Sequence, residues 1–455
     1  MLGQTDRLKK RTIAAYGVGD LGFNLFYTTL SLFLLIYYTN VLNIAPVTAG
    51  LMAAGPVLWD AITDPIMGLI ASRTKTRFGA YRPYVLFGAP LCGLSFVAMF
   101  AAPVLFPSAL IASSVIAHLL FRTLYTVVNV PYTAMTVVLT QNSKERGYLA
   151  ASRMIGAMTA GLMAAVLMFP LAEAFGDGNI RLGFVWVAAL YAAIATIAML
   201  IVGLSTQETE VAPGASTQLS FQQTLRFLKG NTVFWVLASA IFLGSIGSTI
   251  GINSLNYYVA DYVGAPGEQG LVLLPLLLGF GFSIPVWPWV ATKTSKARTW
   301  LIAGVPSVLV SLVLFAVAPS TLEPLAALVF VKGLFAGATP VLLWSMAPDT
   351  VEFGEWQSGV RDEAIGFGLI QLALKSASSL AAFVLGIFLA MIQYQAPELR
   401  TEPLGAQTLD GLRFAAFVFP IVFTVAGLVV MTQYRLDHTL HARLSRALTW
   451  RRRTI

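Results

Sequence analysis

Long apolar runs recur along the whole chain, broken by short polar turns. A helix that crosses a membrane needs roughly 17 to 25 predominantly apolar residues. Twelve stretches meet that need: 12–39, 47–72, 83–104, 107–140, 148–174, 181–204, 231–262, 268–292, 298–318, 322–348, 363–393 and 411–434. The longest break, 205–230, contains STQETEVAPGASTQ and follows the sixth stretch. Its Pro, Gly, Ser and Thr content reads as a linker. The pattern predicts an all-α membrane protein with twelve transmembrane helices in two six-helix bundles, 1–204 and 231–434. The linker is 205–230 and a basic tail covers 435–455.

Lys and Arg sharpen the topology. They fall at the N-terminus (Arg7, Lys9, Lys10, Arg11) and between stretches two and three (Arg73, Lys75, Arg77, Arg82). They recur after stretch four (Lys144, Arg146), in the linker (Arg226, Lys229), after stretch eight (Lys293, Lys296, Arg298), after stretch ten (Arg361) and in the tail. With twelve spans all these segments lie on one side, and the connections 1–2 and 3–4 carry no basic residue. The excess of positive charge on cytoplasmic loops then places both termini in the cytoplasm of a plasma (inner) membrane protein. The first apolar stretch is too long for a signal-peptide core and no A-x-A pattern follows it, so it reads as a retained span.

Composition agrees. The chain of 455 residues is 57% hydrophobic and 11% charged, where a soluble domain carries about 25% charged residues. One cysteine, Cys92, excludes a disulfide framework and a thiolate metal site. Three histidines argue against a zinc enzyme, and no nucleophile–base pair stands out, so an enzyme is not expected. Neither is an organic cofactor or a nucleic-acid partner, because the net charge of +8 follows from the topology signal. The tail RLDHTLHARLSRALTWRRRTI reads as a solvated end within reach of anionic lipid headgroups.

Charged groups inside spans are expensive and by default mark function. The chain has Asp20, Asp60, Asp64, Arg122, Arg153, Lys332 and Lys375 there. At about 1.5 Å per residue, Asn24, Asp60, Asn129 and Lys375 fall roughly 16–18 Å from one face, about the midplane of a ~30 Å core. Four helices from both halves thus turn polar at one level, the signature of a binding site between halves. Asp60 and Asp64 are four apart and share a helix face. Two bare carboxylates that close repel, so one is protonated or a cation sits between them. Pro65 deprives the Ala61 carbonyl of its helical partner, and Thr63 and Thr126 offer further oxygens. Several oxygens suit a hard cation such as Na+, whereas H+ needs only a single carboxylate. Arg153 and Lys332 are placed to snorkel, whereas Arg122 is deep and needs an acidic or carbonyl partner. Tyr125 and Tyr132 flank Asn129, and Phe23, Phe26 and Tyr27 flank Asn24, which suits stacking on a sugar ring. Gly17, Gly19 and Gly22 in YGVGDLG read as close-packing positions between helices. The segment APDTVEFGEWQSGVRDEA reads as an acidic loop on the same side as RTKTRFGAYR, and the two are expected to pair.

The motifs YGVGDLGFN, WDAITDPIMG, RTKTRFGAYRPY, the span-four NVP and VEFGEWQSGVRDEAIGFGLIQLALK together resemble the glycoside–pentoside–hexuronide:cation symporters. These are the melibiose-carrier-like branch of the major facilitator superfamily. The resemblance covers nearly the whole chain, and the DAxxDP element is its most specific part. It implies alternating access, with Asp60 and Asp64 binding the coupling cation and Thr63 and Thr126 beside them. It implies sugar contacts at Asn24, Tyr125, Asn129, Arg153, Gln371 and Lys375. Melibiose-type carriers have acids where this chain has Asn24 and Asn129, a tryptophan in place of Thr133 and an arginine in place of Val57. Losing two acids while keeping Arg153 and Lys375 makes the pocket more positive, which would tolerate a uronide. The expected function is cation-coupled symport of a sugar or glycoside by a monomer in contact with membrane lipid. The alternatives are the same fold carrying an amphiphile such as a lysolipid, and a non-transporting membrane sensor.

Overall fold

The computed structural model describes residues 9–140, 143–206, 226–360 and 363–454. Most of the linker, residues 207–225, lies outside the described residues, as do Arg7 and Arg361 of the topology argument. Contacts divide the chain into two compact units. Unit 1 is Met1–Gly214 with Gly267–Gly270 and Gln395–Arg400, and unit 2 is Ala215–Pro266, Leu271–Tyr394 and Thr401–Ile455.

Unit 1 is built on α1 (Lys10–Ile36, prolonged by a π-helical turn, Tyr37–Val41), α2 (Pro46–Arg73), α3 (Arg82–Leu105), α4 (Leu110–Leu139), α5 (Ser143–Gly176) and α6 (Ile180–Ser205). Helix α1 packs on α5 and α6, α3 on α4 and α6, and α2 on α4. Unit 2 is built on α7 (Thr232–Tyr257), α8 (Gly270–Ser283), α9 (Val286–Lys293), α10 (Lys296–Val317), α11 (Leu322–Ala336), α12 (Ala338–Ser358), α13 (Glu363–Met391), α14 (Ala406–Phe417), α15 (Phe419–Met431) and α16 (His438–Thr454). Among the described residues, ten helical segments are long and apolar enough to cross a membrane, or eleven with α8 and α9 taken as one span bent by 44°. Helix α2 has the length, 28 residues, but is too polar to be counted with them by composition.

Among the described residues one expected span, α8 with α9, is bent by 44°, and two others carry a single turn residue within a continuous span, all in unit 2. A proline lies at or just after each of them, and a proline lacks the N–H of a regular helical turn. Pro285 sits at the α8/α9 bend, Pro340 just after the α11/α12 break at Gly337, and Pro420 just after the α14/α15 break at Val418. Two breaks meet: a Cβ on Gly337 would collide with the Ser283 hydroxyl and with the Phe280 carbonyl at 2.8 Å. Trp287 Nε1 donates to the Leu334 carbonyl at 3.0 Å and so caps backbone beside the gap.

Helix α12 runs ten residues past the expected end of span ten, so the acids Asp349, Glu352 and Glu355 stand on a helix rather than a loop. Asp349 is taken within its own unit. Lys296 Nζ donates to Asp349 Oδ2 at 2.6 Å and to the Ser345 carbonyl at 2.7 Å. His441 Nε2, from the tail, lies 3.0 Å from Glu352 and 3.5 Å from Asp349. The tail is therefore not the solvated end its charge suggested. Its helix α16 docks on α12, burying Leu444 and Leu448, one turn apart, while Arg443 and Arg446 stay exposed.

The glycines of YGVGDLG do mark close approach. Gly17 faces Ser152 of α5, and Gly22 lies against Ala195 of α6. On the facing helix, a Cβ at Gly156 would fall inside the van der Waals shell of the Gly17 carbonyl and 2.9 Å from the Leu21 amide nitrogen. Backbone cannot yield as a side-chain tip can. Gly156→Ala should therefore lower the thermal midpoint of the purified protein by an amount corresponding to about 1–3 kcal/mol, the usual cost of overpacking. Gly161→Ala, one and a half turns along the same helix with no heavy atom within 4 Å of its Cβ, should leave the midpoint unchanged or raise it. Equal midpoints for the two variants would remove the close-packing role.

Candidate cation and substrate site

Unit 1 brings the two span-two acids against span four as a ladder. Helices α2 and α4 pack side by side, and each presents residues at one-turn spacing. Trp59 Nε1 donates to Thr123 Oγ1 at 3.1 Å. Arg122 Nη1 lies 3.4 Å from Asp60 Oδ2, with both side chains almost fully buried. Thr126 Oγ1 donates to Asp64 Oδ1 at 2.8 Å. Asp60 and Asp64 are four apart on α2, and Arg122 and Thr126 four apart on α4, so the rungs stack in register.

The ladder separates two acids that composition alone treats as equals. Asp60 is buried and its charge is matched by a guanidinium, and the deep Arg122 thereby finds the acidic partner it needed. Asp64 is only partly buried and its rung is a neutral hydroxyl. Thr63 donates back to the Trp59 carbonyl of its own helix at 3.2 Å, which keeps its oxygen lone pairs in play. The spacing carried a signal for the pair, because Arg122 repeats on α4 the i, i+4 offset that Asp60 and Asp64 show on α2.

A second charged pair sits between α1 and α5. Arg153 Nε donates to Asp20 Oδ1 at 3.0 Å. The guanidinium also lies over the Tyr132 ring at 5.3 Å and the Tyr16 ring at 5.9 Å. Those two tyrosines lock α1 to α4 reciprocally: the Tyr16 hydroxyl donates to the Tyr132 carbonyl, and the Tyr132 hydroxyl to the Tyr16 carbonyl, each at 2.6 Å. Arg153 is thus held inward by a carboxylate rather than snorkelling to an interface, and Asp20 is its counter-ion. The sequence offered no register that joined these two residues, because they lie 133 positions apart.

The unit 1 residues expected to meet a sugar stand on α1 and α4. Asn24 Nδ2 donates to the Asp20 carbonyl at 2.9 Å. Its Oδ1 is then oriented as an acceptor. Asn129 is partly exposed and makes no hydrogen bond among the described residues. Tyr125 meets the buried Phe23 edge to face at 5.9 Å between centroids, one turn before Asn129 on α4. All of these belong to unit 1. Gln371 and Lys375 stand one turn apart on α13 in unit 2, Gln371 exposed and Lys375 partly so.

The sequence pattern of the MFS/sugar transport protein family matches residues 15–438. The chain is 29% identical to the inner membrane symporter YicJ of Escherichia coli (strain K12), over 84% of this chain and 83% of that one. It is 26% identical to a putative glycoside/cation symporter, YagG, of the same organism, over 95% of this chain and 93% of that one. In fold it is similar to the crystal structure of a bacterial homologue of the human lysosomal transporter Spinster, with a TM-score of 0.69 at 15% identity, over 96% of this chain and 98% of that one. The chain is a multi-pass membrane transporter, not an enzyme, and it belongs to the MFS/sugar transport protein family, within the glycoside–pentoside–hexuronide:cation symporters.

Proposed function

We propose that the protein carries a neutral sugar or glycoside inward across the bacterial inner membrane, coupled to a monovalent cation, by alternating access. The observation that carries this reading is the α2–α4 ladder with its two unlike acids. Asp60 is balanced by Arg122, whereas the Asp64 rung is a neutral hydroxyl. A sodium ion or a proton would bind at Asp64 beside Thr126, with Thr63 as a further oxygen. Asn24, Tyr125 and Asn129 lie on α1 and α4 at the same level and suit sugar hydroxyls and a sugar face. Gln371 and Lys375 are the expected contacts from the other half. Filling both sites permits the halves to rock between outward- and inward-open states, so the ion gradient drives the sugar.

Charge pairing supports a neutral cargo. Arg153 is already matched by Asp20 and Arg122 by Asp60, so neither offers an unspent charge to a carboxylate. The same reading takes α2 as a twelfth span beside the ten helices and the bent α8–α9 pair, places both termini in the cytoplasm, and treats the protein as a monomer. The basic loops support the orientation, and the name of the YicJ relative supports the inner membrane.

Asp64→Asn should abolish gradient-driven accumulation in proteoliposomes while the protein still inserts, and Thr126→Ala should weaken the apparent ion affinity by about tenfold, the scale of one charge-assisted hydrogen bond. Accumulation unchanged in Asp64→Asn would refute the cation role. Replacing sodium by choline at fixed pH separates the two ions: uptake that persists is proton-coupled.

Asp60→Asn should behave differently, because it leaves a buried guanidinium without its counter-charge, a loss of about 3–5 kcal/mol in comparable pairs. The yield of folded protein should fall, and Asp60→Asn with Arg122→Gln should restore it. If the double variant folds no better than the single one, the pair is not the stabilising element. Competition with a labelled glycoside tests the cargo: uronates should compete at least about tenfold less well than the matching neutral sugars, and equal competition would overturn neutrality.

A further inference from the structure

A cavity of about 460 Å³ lies inside unit 2, among helices α7, α8, α10, α11, α12 and α15. Its wall is mostly apolar and includes the aromatic rings of Phe280, Trp300, Phe335 and Trp344. One cation, Lys332 of α11, lines it. Among the described residues Lys332 makes no hydrogen bond and no ion pair. It stands ten residues into α11 from Leu322, about 15 Å along the axis and so about half the thickness of a ~30 Å hydrocarbon core. That depth is beyond the reach of a lysine stem, so snorkelling does not satisfy it. An ammonium at such depth normally faces a counter-charge or a water-filled cavity.

The breaks in unit 2 surround this cavity. Phe280 precedes the α8/α9 bend, Ala336 and Pro340 flank the α11/α12 break, and Phe417 and Pro420 flank the α14/α15 break. Interrupted membrane helices are a mark of ligand sites, because irregular backbone is tolerated at that depth only against protein or a cavity.

The two halves also differ in one telling way. In α4, Arg122 precedes Pro131 by nine residues, and in the tenth span Lys332 precedes Pro340 by eight. In unit 1 the partner of that cation is Asp60 of the second span. The helices of the corresponding eighth span, Gly270–Ser283 and Val286–Lys293, contain no acid, Glu268 lying before the first of them. Unit 2 thus repeats the cation, omits the carboxylate, and has a cavity beside the cation.

We propose that this cavity binds a monocarboxylate with an aliphatic or aryl body, its carboxylate paired with Lys332 and its body against the aromatic wall. A single cation matches a single negative charge. A neutral amphiphile would leave the ammonium uncompensated. The hydroxyls of Ser245, Ser307 and Thr339 line the same wall and suit the remaining carboxylate lone pairs. The site is separate from the Asp64 site and does not depend on which sugar is carried.

Trp300 and Trp344 give the readout, because a brominated ligand in the cavity quenches their fluorescence. Bromoundecanoate, as a membrane-borne acid, and bromophenylpropionate, as a water-borne one, are titrated against the full-length protein in nanodiscs of zwitterionic lipid. Saturable quenching is expected, with Lys332→Met raising the midpoint at least about tenfold and Lys332→Arg restoring it. Methyl esters of both acids should not saturate. Trp300→Phe with Trp344→Phe should remove the saturable component. Saturation by the first acid alone assigns a lipid source, by the second alone a soluble source, and by both an entry open to each. Lys332→Met deletes a lone charge, so its thermal midpoint should not fall, which separates loss of binding from loss of fold. No saturable quenching by either acid, or midpoints unchanged in Lys332→Met, would overturn the proposal.

Discussion

A charge inside a membrane helix bundle must be matched, and how each one is matched organises this protein. Removing a carboxylate from water costs several kcal/mol, and a single well-placed guanidinium recovers it only with good geometry. Asp60 and Arg122 lie 3.4 Å apart between α2 and α4, close enough for an ion pair. The pair sets the register of the two helices, and the register in turn puts Asp64 opposite Thr126. Two acids with the same side chain, four residues apart, thereby acquire different chemistry. One lies against a guanidinium and the other accepts a hydrogen bond from a neutral hydroxyl.

The same rule governs the substrate side. Asp20 neutralises Arg153 between α1 and α5, and the tyrosine rings beneath the guanidinium hold it in place. Positive charge counted from the sequence is therefore not charge available to a ligand. With both arginines paired within unit 1, the polar and aromatic groups of Asn24, Tyr125 and Asn129 remain beside them on α1 and α4.

Unit 2 follows a different plan. Three of its spans bend or carry a turn residue beside prolines, its acids on α12 are gathered by Lys296 and the tail helix, and its deep Lys332 has no acid on α8 or α9 to meet it. The rigid, close-packed helices of unit 1, where Gly17 and Gly156 let two backbones touch, suit a site whose geometry must be held. The broken helices of unit 2 suit a bundle with internal space.

Most of the architecture was legible from the chain alone. Helix positions follow from hydrocarbon thickness and a fixed rise per residue, so apolar length was enough to locate spans, and i, i+4 spacing was enough to put Asp60 and Asp64 on one face. The linear sequence did not place the breaks at Gly337 and Val418, because a proline in a membrane helix stays in register or breaks according to what neighbouring helices supply to its stranded carbonyl. Nor did it show that the basic tail folds back, since that depends on α12 extending to Ser358 and offering Glu352 to His441. Above all, the sequence determined which charged residues lie in the membrane and at what depth. Only the tertiary structure decided their pairing, Asp60 with Arg122 and Asp20 with Arg153, because partners 62 and 133 positions away are brought within reach by helix packing and by nothing local.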